Sequence, residues 1–276
     1  MIGLSQVNEP REDAEIKNDA PIRMWPGTVI FQCPPCSWNK CVFCGYSREC
    51  LAKVQPTTDE FLKQLESYLD EYGFEEYLEI YNSGSFLDDA QISPGSRLAI
   101  FKHLAKAGIK SVIIESRPEF ITKNNLEPLT KTFKGFLTVA IGLEVADDEI
   151  LKKLKKGFGL EDVERAYSVL NDLHIPSRVY ILAGPPFVED PKSSALESVE
   201  YAKNIAFTEI SLLGAYPMEN SEGYQLWKSG DWAPITKSKF DEIISIAKEI
   251  EPNIDYSADG LEKFWTKHLI MHNTEK

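Results

Sequence analysis

Cysteine is scarce in this chain of 276 residues, and four of its five cysteines lie within twelve positions, Cys33 to Cys44. So uneven a distribution excludes a disulfide-stapled scaffold, whose cross-links are spread along the chain. No stretch approaches the roughly 18 consecutive apolar residues of a membrane-spanning helix, so no membrane partner is expected. The opening segment MIGLSQVNEPREDAEIKNDA is too acidic for a signal or transit peptide, which predicts a cytoplasmic protein. Positive charge is also in short supply: 30 Lys and Arg stand against 43 Asp and Glu, a net charge of −13. A protein that grips nucleic acid unaided generally presents a basic face, because phosphate neutralisation supplies much of the affinity. The four histidines, His103, His174, His268 and His272, show no ligand spacing with the cysteines, and none is assigned chemistry.

What is present is a metal-binding pattern. The segment CPPCSWNKCVFCGYS follows the apolar run Thr28 to Phe31. Several thiolates gathered in one short loop repel one another unless a cation neutralises them. Structural zinc usually takes two Cys-x2-Cys pairs a dozen or more residues apart, whereas here four residues separate Cys36 from Cys41. Close packing on one loop suits an iron-sulfur cluster. Two cluster readings stand at this point: four cysteine ligands in an electron-transfer centre, or three ligands with one iron left open, the first ligand being Cys33 or Cys36.

With 43% hydrophobic residues the chain can bury a full core. Residues 1–26 carry many charges and the prolines Pro10, Pro21 and Pro26, and read as an extended arm. From Thr28 onward apolar β-branched runs alternate with amphipathic patterns, the signature of βα units around a parallel sheet. Strands are expected near 28–32, 77–82, 111–115, 137–143, 178–183 and 208–213. A helix is expected to start at the capping box Thr57-x-x-Glu60, and others over 95–107, 123–132, 160–173, 193–205 and 238–250, with Gly108 and His174-Ile175-Pro176 as stops.

Cys36, Cys41 and Cys44, spaced Cys-x4-Cys-x2-Cys with Phe43 before the last, resemble the cluster loop of the radical S-adenosylmethionine enzymes. The usual spacing there is Cys-x3-Cys-x2-Cys, so one residue is extra before Cys41. The resemblance implies a 4Fe-4S cluster on these three cysteines, with S-adenosylmethionine on the fourth iron and reductive cleavage to a 5'-deoxyadenosyl radical. Cys33 is then a spare thiol, and Cys50 is structural or inert. The fold implied is α/β: a partial (β/α)6 TIM-like barrel over 27–235, with the N-terminal arm 1–26 and a C-terminal helical extension 236–276 as a short cap. In such barrels the functional groups sit at the C-terminal ends of the strands.

Several strand ends fit that rule. Ser83, Gly84 and Ser85 stand where the family usually has a Gly-Gly-Glu-like turn that holds the methionine amino group, here without its acid. Glu115 is placed to accept ribose hydroxyls and Arg117 to pair with the methionine carboxylate. Glu144, in a Gly-Leu-Glu element, is expected near the ribose, and Arg178 at the start of the fifth strand is grouped with these contacts. Pro185 and Pro186 shape a pocket wall, and Tyr216 and Asn220 mark a loop for substrate. Lys152, Lys153, Lys155 and Lys156 form the densest basic run, either a solvated helix face or a phosphate contact. Trp227, Trp232, Phe264 and Trp265 are expected to cap the barrel rather than stack on bases.

Taken in order, Ser83 to Asp88, Glu115-Ser116, Ile141 to Glu144, Lys156-Gly157-Phe158 and Pro185-Pro186-Phe187 resemble the archaeosine-forming radical enzymes, from about residue 28 to 232. That family cleaves a lysine-bearing side chain on a modified 7-deazaguanine of transfer RNA and works with a lysine-transferring partner. The resemblance therefore implies tRNA, that partner, and a reductant such as a ferredoxin or flavodoxin. Other readings are a radical enzyme acting on a different small molecule, peptide or RNA, and a non-catalytic iron-sulfur or zinc protein.

Overall fold

A computed structural model of the chain describes residues 18–48, 50, 52–73 and 75–274, with side chains to 267. The first seventeen residues of the expected arm, and the side chains of His268 and His272, lie outside the described residues. Strand β1 (Arg23–Trp25) turns at Pro26-Gly27 and runs back against β2 (Thr28–Ile30). From β2 onward every pairing is parallel, in chain order: β3 (Tyr77–Tyr81), β4 (Ser111–Glu115), β5 (Phe136–Glu144), β6 (Ser177–Ala183), β7 (Glu209–Gly214) and β8 (Asp255–Ser257). All six expected strands form. The two that sequence reading missed, β1 and β8, are three-residue edge strands, too short to show alternation.

Crossover helices join the parallel strands: α1 (Thr58–Tyr72), α2 (Pro94–Ala107), α3 (Lys123–Thr132), α4 (Asp148–Lys153), α5 (Leu160–Asp172), α6 (Pro191–Ile205), α7 (Glu222–Ser229) and α8 (Lys237–Ile250); α9 (Asp259–Thr274) follows the last strand. The Thr57 capping box forms as its residues predict: Thr57 Oγ1 accepts the Glu60 N–H and Glu60 Oε2 accepts the Thr57 N–H. Ser93 and Pro94 open α2, and Gly108 closes it in the left-handed conformation. Among the described residues no helix is long and apolar enough to cross a membrane.

Alternation along the strands builds two layers. Ser177, Val179, Ile181 and Ala183 are buried, while Arg178, Tyr180 and Leu182 between them are partly open. Leu78 and Ile80 repeat this on β3, while Val112, Ile113 and Ile114 are all buried on β4; Leu78, Ile80, Val112 and Ile114 belong to one apolar core. The other face curls inward. Strands β3 and β6 are three spacings apart, about 14 Å in a flat sheet. Yet the hydroxyls of Tyr81 and Tyr180 meet at 2.7 Å, and Arg178 Nη1 reaches Glu79 Oε1 at 2.9 Å. The sheet is thus an open half-barrel with a polar interior, and β2 delivers the cysteine loop to its C-terminal mouth.

Candidate functional site

The loop after β2 separates its cysteines by environment. Phe31 N still donates to Tyr81 O, and the chain then turns Cys33 into the core, where it is fully buried. Its Sγ receives hydrogen bonds from Asn82 Nδ2 at 3.7 Å and Gln91 Nε2 at 3.6 Å and donates to Pro34 O at 3.2 Å. The hydrogen bond with Cys50, then burial, pushes the Cys33 thiol well up, so it stays protonated. Cys36, Cys41 and Cys44 remain partly exposed and stand near enough to repel one another electrostatically. Burial first, with Cys41 and Cys36 adding to it, pushes the Cys44 thiol up to about 12. Burial also raises Cys41, against the opposing pull of Lys156 and Arg117. Among the described residues, no three His, Cys, Asp or Glu side chains converge tightly enough to hold a single ion.

The turn after β3 is packed directly on this loop. A Cβ at Gly84 would stand 2.9 Å from Cys36 Sγ and 2.4 Å from Gln91 Oε1, so only glycine fits. Ser83 Oγ donates to Pro34 O, and Ser85 Oγ accepts the Arg117 N–H at 3.0 Å. Gln91, which sequence reading did not single out, ties this turn together: its oxygen accepts the Ser85 N–H at 2.6 Å and its amide donates to Pro34 O at 2.9 Å. No motif marks it. Asn82 Oδ1, just past the end of the same strand, is buried and has no hydrogen-bond partner among the described residues.

Glu115, Glu144 and Lys156 converge on Gly142. From the place a Cβ would occupy there, Glu144 Oε1 lies at 2.7 Å, Lys156 Nζ at 3.5 Å and Glu115 Oε1 at 3.7 Å. A register shift between Gly142 and Glu144, with Glu144 at a φ of 71°, folds the glutamate back over its own strand. Burial, then the charge of Glu144, pushes the Glu115 carboxyl up to about 7, with Lys156 opposing. Arg117 lies between the rings of Trp38 and Phe158, 4.9 and 5.0 Å from their centroids, and pairs with Glu119 at 2.6 Å.

Two expectations are corrected. Arg178 does not join this group: as the second residue of β6 it sits toward the opposite end of the barrel, where Glu79 at 2.9 Å and Glu209 at 2.6 Å occupy its guanidinium. The basic run is not one face. Lys152, Lys153 and Lys155 are exposed, but Lys156 is buried and donates to Glu144 Oε1 at 2.8 Å, because the chain leaves α4 through a turn in which Lys155 has a φ of 58°. Of the loop residues, Tyr216 packs against Gly260, and Asn220 lines a cleft of about 570 Å³ with Arg48, Glu219 and Tyr224. Of the C-terminal aromatics, Trp227 meets Phe264 edge-on at 4.9 Å, Trp265 donates to Ile235 O and Trp232 to Gly184 O.

Comparison with known proteins agrees with this architecture. The model of the radical SAM superfamily matches residues 34–192, more than half of the chain. Archaeosine synthase subunit beta of Methanosarcina acetivorans is 29% identical over 242 residues, which cover 84% of this chain and 69% of the relative. The protein of the same name from Thermococcus kodakarensis is 26% identical, over 80% of this chain and 64% of its own length. A queuine lyase from Clostridium spiroforme, solved with SAM and queuine, superposes with a TM-score of 0.57 at 21% identity, over 83% of this chain and 90% of that one. At that identity the likeness speaks for the fold alone. A half-barrel whose first parallel strand carries a three-cysteine loop, together with the family match across it, makes this chain a member of the radical SAM superfamily of enzymes.

Proposed function

We propose that the chain binds a 4Fe-4S cluster through Cys36, Cys41 and Cys44 and cleaves S-adenosylmethionine reductively to act on a modified 7-deazaguanine in tRNA. The observation that carries the reading is the division of the cysteines: three partly exposed thiols share one loop at the barrel mouth, and Cys33 is turned into the core beside Cys50. Three partly exposed thiols close together on one short loop suit a cluster of several metal atoms. When bound, such a cluster supplies the electron that splits the sulfonium cofactor.

The protein's own residues bind and orient. The Ser83-Gly84-Ser85 turn presents backbone and hydroxyl groups beside Cys36, and Asn82 Oδ1, without a partner among the described residues, offers an acceptor next to them. Glu115 and Glu144 are the carboxylates placed for ribose hydroxyls, and Arg117, held between two rings, offers its free edge to a carboxylate. The hydrophobic shell of Trp38, Phe43 and Phe158 limits water at the mouth. Support for the substrate comes from the two relatives named archaeosine synthase subunit beta, a name that also points to a partner subunit. A ferredoxin or flavodoxin is the proposed reductant.

The net charge of −13 favours a second reading, in which the substrate is a free modified base and no RNA is held. Anaerobic reconstitution with iron and sulfide, followed by assay of 5'-deoxyadenosine, separates the two. Release that rises with modified tRNA and not with the free base supports the first reading; the reverse supports the second. A reconstituted protein that binds no iron defeats both.

A further inference from the structure

Two tyrosines inside the barrel have no task in the proposed chemistry. Tyr81 and Tyr180 face the interior from β3 and β6, and their hydroxyls meet at 2.7 Å across the two strands that lie between. Beneath them, toward the base of the barrel, Arg178 with Glu79 and Glu209 fills the interior with ion pairs. At their own level the sheet offers little bulk: Tyr180 stands in register with Gly142 on β5 and with Ser211 on β7. Glu115, at the mouth, lies near enough to act electrostatically on both hydroxyls. Both tyrosines keep some exposure although they point inward. The pair is therefore the floor of a chamber whose upper wall carries Glu115 and Glu144, and a molecule entering the mouth stops there.

The hydrogen bonds fix which way the polarity of this floor points. Glu79 is paired with Arg178 at 2.9 Å, so its carboxylate can only accept, and Tyr81 donates to Glu79 Oε2 at 2.9 Å. With its own hydrogen so engaged, Tyr81 meets Tyr180 as the acceptor. Tyr180 has a proton to give: burial, then the charge of Glu115, pushes its hydroxyl up to about 12. Arg178, two residues nearer the base, lies within hydrogen-bonding reach of the Tyr180 oxygen and leaves its other lone pair to the chamber. We propose that Tyr180 recognises the substrate, its oxygen accepting an N–H from the edge of a planar, nitrogen-rich heterocycle, while Tyr81 holds that oxygen in its accepting orientation. The inference rests on the modified-base reading given above and narrows it: the base is sensed through a donor group at its deepest edge. A carbonyl edge would meet this oxygen lone pair against lone pair and be left unsatisfied.

The test is steady-state kinetics on anaerobically reconstituted protein, with iron per chain measured first. The substrate is whichever of modified tRNA and free modified base raises 5'-deoxyadenosine release in the wild type. Tyr180→Phe removes only the oxygen and is expected to raise KM about tenfold at wild-type iron content, the effect of one lost hydrogen bond. Tyr81→Phe leaves that oxygen in place and frees its orientation, so a smaller rise is expected, about threefold. A purely structural tie would instead lower the melting temperature of both variants and leave KM untouched. An unchanged KM in Tyr180→Phe overturns the proposal, as does a larger rise in Tyr81→Phe than in Tyr180→Phe. If Tyr180→Phe fails to fold or takes up no iron, Tyr81→Phe decides: a raised KM there supports the proposal and a wild-type value overturns it. A wild type stimulated by neither substrate defeats the modified-base reading and the proposal with it, a result distinct from a stimulated enzyme whose KM ignores residue 180.

Discussion

Cys33 and Cys36 stand three positions apart and lie in different media. Burial and the Cys50 contact keep Cys33 a protonated, core-filling thiol, while Cys36 faces Cys41 and Cys44. Cys41→Ala is therefore expected to lose iron uptake and cofactor cleavage together, whereas Cys33→Ala keeps wild-type iron content and pays only in stability, on the order of 1 kcal/mol. Iron assay after reconstitution checks both, and equal loss in the two variants would contradict the division. Glu115 gives a pH signature in the iron-free protein. Its carboxyl sits near 7 when folded against 4.5 ordinarily, so the native state holds a proton that the unfolded chain releases. That contribution to stability is complete below 4.5 and is lost as pH rises through 7. Glu115→Gln should melt higher than wild type at pH 8, by a few degrees, and the gap should narrow toward pH 5.

At the scale of elements, the site is a meeting of strand ends. The Ser83-Gly84-Ser85 turn, the Glu115-Arg117 turn and the Gly142-Glu144 bulge come from successive parallel strands, so they stand side by side at one mouth. The β3 turn has no slack. Gly84→Ala should abolish iron uptake while the far-ultraviolet circular dichroism keeps its native shape, because the added methyl competes with Cys36 and Gln91 for space and not with a helix or strand. Retained iron in that variant would show that the cysteine loop yields more easily than its packing implies. On the opposite side, the loop leans on the turn after α4 and on the start of α7, two short helices of six and eight residues.

Over the whole molecule, the curled sheet divides labour between its two ends. Ionic pairing with Glu79 and Glu209 makes Arg178 a structural tie across β3, β6 and β7, away from the cysteines. Arg178→Ala leaves the largely buried Glu79 and the more exposed Glu209 without their cation and is expected to cost about 2 kcal/mol in urea unfolding, with iron content unchanged. Loss of iron at full stability would instead place Arg178 in the site. Trp227, Phe264 and Trp265 pack edge to face as one aromatic cluster that joins α7 to α9.

Local sequence determined a good deal of this protein. The six main strands, the Thr57 cap and the Gly108 stop follow from periodicity and capping chemistry, which act within a few residues and need no distant partner. The three-cysteine spacing likewise picked out the loop. Tertiary structure alone decided that Cys33 belongs to the core, that Gln91 and Lys156 belong beside the loop, and that Arg178 does not. Each of those outcomes depends on how far the sheet curls and where a turn aims one side chain. Such directions are set by contacts between residues as much as 117 positions apart, as between Trp38 and Lys155, and leave no periodic trace along the chain.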